Sequence, residues 1–414
     1  MKTGFCQLYQ RKRSLLTAKR GKRILLLLFF CFVLALCLLF LTPSAMAKDG
    51  SSKDFYDTLY EEIESLSQTE LEAILGDLTE EQRAIFKNKS WMEVIKGIVS
   101  GESLLSHTSL SNFILSIVKD NVLKYVSLSA CIIGISVLTS ILSSMKSGFM
   151  EEGIGNVIFF VGYAVILSIT LVSAMGVTES AFAAVSSIQR QMAVLLPVML
   201  GFLTGAGGSV SGTAYASATA FLSNGILSVI TSLIFPILKL MTVLAVLGNV
   251  AEGLKLSDLF SFFGNVCKWL ILTALTVYSF VLGVQGITAA THDGISYKLL
   301  KYTVGNSLPL VGGTVKDGFD MILASFLVLK NAIGVFALII LAGIAVGAIV
   351  KLILFSWSLK LASGILQPIG ESRTCGFLGK MGSVLQYYVA VLGASCYLYA
   401  VTVFAVIFAS AGVM

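Results

Sequence analysis

From Tyr125 onward the chain is a succession of apolar stretches long enough to cross a bilayer, separated by short segments bearing glycine, proline or charge. No other feature limits the fold so severely. Hydrocarbon offers no partner to a backbone N–H or C=O, so each stretch must satisfy its own hydrogen bonds as a helix. About 20 apolar residues carry a helix across the core of a membrane. Runs of this kind lie near 124–144, 156–177, 192–211, 213–235, 237–251, 269–290, 321–345 and 386–411, and 347–366 is ambiguous because Lys351 and Lys360 interrupt it. The expectation is an all-α polytopic membrane protein with about six to eight spans. The shorter segments Leu256–Lys268 and Ser296–Asp320 read as interfacial helices or re-entrant pieces.

Composition agrees, with 56% hydrophobic and only 13% charged residues, against about 25% charged in soluble domains. The formal charge of +6 comes mainly from Lys2, Arg11, Lys12, Arg13, Lys19, Arg20, Lys22 and Arg23. They flank the apolar run Ile24–Leu41 and act as an insertion signal, not a nucleic-acid surface. The basic start, the apolar run and small residues at Ala45 and Ala47 have the order of a secretory signal peptide over residues 1–47. An uncleaved signal anchor is the alternative. Either way, residue 48 onward is delivered to the outer side of the membrane.

Residues 48–123 form an acidic segment with helical spacing at Phe55, Leu59, Ile63 and Leu66, and with S/T-x-x-E/Q capping boxes at Ser67–Glu70 and Thr79–Gln82. We read it as a small extracytoplasmic helical domain ahead of a membrane domain, 124–414. Within the latter, 197–290 recurs weakly as 309–408. Leu196-Pro197 and Gly201 match Leu308-Pro309 and Gly312-Gly313, while Phe262-Phe263-Gly264 matches Phe377-Leu378-Gly379. Interrupted helices at corresponding places are a pointer to transporter-like or channel-like cores.

The residues expected to shape a pore, gate or helix break are therefore Pro197, Gly201, Gly205, Gly207, Gly208, Pro309, Gly312, Gly313 and Pro368. The run Gly205–Gly212 lacks the G-K-[ST] ending of a phosphate loop, and close helix packing or a re-entrant turn is the expected role. Charges near or inside spans are costly and so informative: Glu179, Arg190, Lys239, Lys351, Lys360 and Glu371. For the lysines, snorkelling to the interface is the plainer reading. His107 and His292 are isolated, and Cys131, Cys267, Cys375 and Cys396 form no CxxC pair, so no catalytic, metal or cofactor site is expected.

Three segments in order carry a family resemblance: Leu195-Leu196-Pro197-Val198-Met199-Leu200-Gly201 with Gly205–Gly208, Asn306-Ser307-Leu308-Pro309-Leu310-Val311-Gly312-Gly313 leading to Lys316-Asp317-Gly318, and Leu366-Gln367-Pro368-Ile369 with Glu371. Over essentially its whole length the chain resembles the stage III sporulation protein AE family of endospore-forming bacteria. The resemblance implies a non-enzymatic multi-pass component of a channel or secretion-like complex in the mother-cell membrane around the forespore. It implies other stage III sporulation membrane proteins as partners, with a cytoplasmic ATPase supplying energy and homo-oligomerisation compatible with this setting. An autonomous secondary transporter of a small solute is the alternative.

Overall fold

The computed structural model describes residues 90–100, 107–144, 152–250, 256–307, 312–368 and 372–409, together with Gly76. All of these belong to one compact unit, Ser51–Met414. The signal peptide, most of the acidic segment with its two expected capping boxes, Pro309 and Glu371 lie outside the described residues.

Among the described residues there is helix and no strand. The helices are α1 Trp91–Val99, α2 His107–Ser144, α3 Glu152–Gly205, α4 Ser209–Ala220, α5 Phe235–Val250, α6 Ser257–Ser307, α7 Gly312–Leu366 and α8 Ser372–Phe408. The short helix α1 begins at a capping box, in which Ser90 accepts from the Glu93 N–H while the Glu93 carboxylate accepts from the Ser90 N–H. The pattern S-x-x-E is legible at Ser90 but is not among the two sites expected.

Six stretches are long and apolar enough to cross a membrane: Leu115–Leu142, Phe160–Gly205, Ser209–Asn249, Ser257–Gln285, Met321–Leu366 and Ser372–Phe408. The fold is therefore the expected all-α polytopic one, with six such helices among the described residues. The apolar runs 156–177 and 192–211 prove to be largely parts of α3, and the ambiguous 347–366 is the second half of α7. Glu179 and Arg190 interrupt hydropathy without interrupting the helix, because both are good helix formers. Likewise Leu256–Lys268 is no separate interfacial piece. From Ser257 it is the start of the continuous α6.

Between α4 and α5 the helix continues in altered form, with π-helical turns at Phe221–Ile226 and Ile230–Ile234 around the α-helical Leu227–Val229. Pro236 is the second residue of α5. A proline ring clashes with the carbonyl four residues earlier, and a widened turn relieves that clash. The span therefore runs on through its proline.

Helices α7 and α8 form the centre. In their most apolar stretches 67% and 61% of residues are buried, against 28–33% in the other four. The two run antiparallel, since Lys330 meets Ile407 at one end, Ser356 meets Gly382 midway and Ser363 meets Cys375 at the other. Helix α3 lies antiparallel to α7, with Gly205 against Phe326 and Met199 against Gly334. Helix α6 runs parallel to α8, through Gly264 on Tyr387 and a buried Tyr278–Thr402 hydroxyl pair at 2.6 Å.

Candidate functional site

The local device that joins α3 to α4 is a tight two-helix turn. The Gly207 N–H donates to the Thr204 carbonyl (3.0 Å) and the Gly208 N–H to the Leu203 carbonyl (3.0 Å), the paired bonds of a Schellman C-cap. That cap needs a left-handed residue, and Gly207 supplies it with φ 93°. Gly208 sits so close to Leu203 that a Cβ there would lie 2.9 Å from the Leu203 carbonyl oxygen. The glycine run is thus a close-packed cap. Replacing Gly207 by valine is expected to cost about 1–3 kcal/mol through backbone strain, read as a lower midpoint in detergent-solubilised thermal unfolding.

The expected helix-breaking residues separate accordingly. Pro197 lies inside α3 and does not end it, while Pro368 lies two residues past the end of α7, in a turn. Gly201 is exposed, and a Cβ added there would meet nothing within 4 Å, whereas Gly205 faces the Phe326 ring. Gly312 and Gly313 are the first two residues of α7. Of the two Leu-Pro landmarks, Pro197 is helical and Pro309 lies outside the described residues. Phe262-Phe263-Gly264 lies in the second turn of α6 and Phe377-Leu378-Gly379 in the second turn of α8.

The charges converge where the glycines do not. Glu179 of α3 and Lys239 of α5 line one cavity of about 350 Å³, with Thr178, Thr242 and Tyr388. On the other flank of α3, Lys351 of α7 lines a second cavity of about 750 Å³ with Asp120 and Lys124 of α2. Stacking of Tyr125 on Phe355, 5.1 Å between centroids, holds α2 against α7 beside this second cavity. Lys268 of α6 stands 5.5 Å from the ring centroid of Tyr387, next in sequence to the Tyr388 that lines the first cavity. Charges from five helices therefore reach the same part of the bundle, although the sequence scatters them over more than 200 positions.

The remaining expected charges lie apart from both cavities. Arg190 is exposed and donates to the Ser187 hydroxyl at 3.0 Å. The Lys360 stem crosses Gly382, where a Cβ would stand 2.8 Å from Lys360 Cγ.

One charged residue in a span is not among those singled out from the sequence. Lys330 is 0% exposed, and its ammonium donates to the carbonyls of Val406 and Ile407, each at 3.0 Å. These are last-turn carbonyls of α8, where the regular bond to the N–H four residues on is not available. A cation there satisfies them and complements the helix dipole. The signal is present, as Lys330 is the sole charge between Met321 and Val350.

Among the described residues no cluster of histidine, cysteine, aspartate or glutamate is arranged to hold a metal ion. The architecture is that of a multi-pass α-helical membrane protein with a buried central hairpin and charged cavities between its helices. The stage III sporulation protein AE family matches residues 89–411, and the chain belongs to that family. It is 26% identical over 294 residues to the stage III sporulation protein AE of Bacillus subtilis (strain 168), covering 71% of this chain and 74% of that protein. No solved structure matches it.

Proposed function

We propose that this chain is the non-enzymatic polytopic component of a sporulation channel or secretion-like complex between mother cell and forespore. It resides in the mother-cell membrane and is required for forespore development. The observation that carries this reading, beside family membership, is the uneven burial of the bundle. The α7–α8 hairpin is mostly buried, whereas α2 and α3 are mostly not and leave Leu123, Val126, Phe160 and Val172 exposed. A large exposed apolar face requires lipid or protein to cover it, as expected of a subunit built into an assembly.

In this setting the N-terminal segment faces the space between the two membranes, other stage III sporulation membrane proteins are the partners, and a cytoplasmic ATPase supplies energy. The Gly- and Pro-bearing segments shape the core, and the two hairpins ending in α6 and α8 form a parallel duplication. The charged cavities favour a second reading, an autonomous transporter of a small solute. Affinity purification of the tagged chain from sporulating cells separates the two. Recovery of other stage III membrane proteins is the expected result, whereas solute uptake by the purified chain alone in vesicles overturns the proposal.

Orientation is tested independently in a variant whose native cysteines have been replaced. An extracytoplasmic N-terminus puts the α3–α4 turn outside and the α7–α8 turn inside. Cysteine at exposed Ser209 should then react with an impermeant maleimide in spheroplasts, and cysteine at exposed Gln367 only after permeabilisation. The reverse pattern inverts the assignment.

A further inference from the structure

The larger cavity, between α2, α3 and α7, has a chemistry that the channel reading does not use. Lys124 and Lys351 bring two positive charges to it and Asp120 one negative charge, and Ser173 adds a hydroxyl. Among the described residues no ion pair joins these three charges. The cavity is therefore net cationic, with an additional carboxylate able to accept hydrogen bonds from hydroxyl groups.

Its wall is apolar toward the outside of the bundle. Val172, which lines it, is 72% exposed, and Leu123 and Val126 beside Lys124 are exposed as well. Both lysines lie within apolar spans, Lys124 in Leu115–Leu142 and Lys351 in Met321–Leu366, where a cation requires an anionic or polar partner. Cationic pockets between spanning helices, flanked by apolar surface, suit lipid head groups.

We propose that this cavity binds the head group of an anionic glycerophospholipid. Lys124 and Lys351 hold the phosphodiester, Asp120 and Ser173 take the head-group hydroxyls, and the acyl chains lie over Val172, Leu123 and Val126. The net charge of the site matches a singly charged phosphodiester, and a zwitterionic head group would bring an ammonium toward two lysines. A full phospholipid has the apolar tails that the exposed wall accommodates, and free phosphate lacks them.

Gly176 gives a way to fill the cavity without removing a charge. It lines the site, and a Cβ built there meets nothing within 4 Å. The full-length protein is reconstituted in nanodiscs of phosphatidylcholine with one part in five phosphatidylglycerol, then extracted in mild detergent, and its retained lipid is measured by native mass spectrometry. Wild type should retain phosphatidylglycerol. Lys124→Gln with Lys351→Gln, and separately Gly176→Leu, should each lower retention by about tenfold or more, while Lys239→Gln at the other cavity should match wild type. Thermal midpoints of all variants identify any that are misfolded, and Gly176→Ala replaces Gly176→Leu in that event. Undiminished retention in the double variant overturns the proposal. So does equal retention of phosphatidylethanolamine, or displacement of the lipid by millimolar inorganic phosphate, which would define a free-anion site.

Discussion

Lys330→Met is expected to be the most damaging single substitution in the described part of the bundle. Methionine preserves most of the side-chain volume but has no donor, so the Val406 and Ile407 carbonyls lose the ammonium they share at 3.0 Å. Hydrogen bonds to a charged group contribute about 1.5–3 kcal/mol each, and a buried acceptor left without a partner costs its desolvation. Losing both should destabilise the α7–α8 hairpin by about 3 kcal/mol or more. The measurement is the unfolding midpoint of the detergent-solubilised protein, with Lys330→Gln falling between wild type and Lys330→Met because an amide still donates. Equal midpoints for the three proteins would show that the lysine is not a cap.

Gly382→Leu should have a comparable effect through a different cause. At Gly382 the backbone of α8 approaches α7 so closely that a Cβ would stand 3.1 Å from the Ser356 carbonyl oxygen and 2.8 Å from Lys360 Cγ. The Gly382 carbonyl also accepts from the Ser356 hydroxyl at 2.7 Å. Small residues permit such contact between spanning helices, and polar pairs reinforce it. The Lys360 stem can turn aside, but the Ser356 carbonyl belongs to a helix and cannot. A leucine must therefore separate the helices and stretch the serine bond, with an expected cost of about 1–3 kcal/mol. Gly393→Ala serves as the control on the same helix, since nothing lies within 4 Å of that position.

Much of the architecture is legible in the sequence because the bilayer reduces the choices for an apolar run to one. What hydropathy misplaces are the ends. Glu179 and Arg190 lower the apolar score of α3 while remaining compatible with helix, and Pro197, expected to break a helix, sits in one that continues beyond it. At Pro236 the π-helical turn ahead of it absorbs the steric conflict, so a proline again leaves the span connected.

The charged cavities are half visible. Glu179, Lys239 and Lys351 stand out as expensive charges, but their grouping depends on which helices touch, and a single sequence carries no direct record of that. Asp120 and Lys124 are hidden for a plainer reason: one stands just before the first apolar run of the membrane domain and the other at its first residue, so both read as ordinary flanking charge. Lys330 fails in the opposite way. Its surroundings are so apolar that a hydropathy window absorbs it, although a lone buried cation in such a stretch always requires a partner.

The unbroken length of α7 has a geometric consequence. At 1.5 Å per residue, its 55 residues make a rod of about 80 Å, well over twice the roughly 30 Å core of a bilayer. With no proline along it, the helix lacks the commonest cause of a sharp kink, so at this length it must tilt steeply or carry its ends well beyond the hydrocarbon.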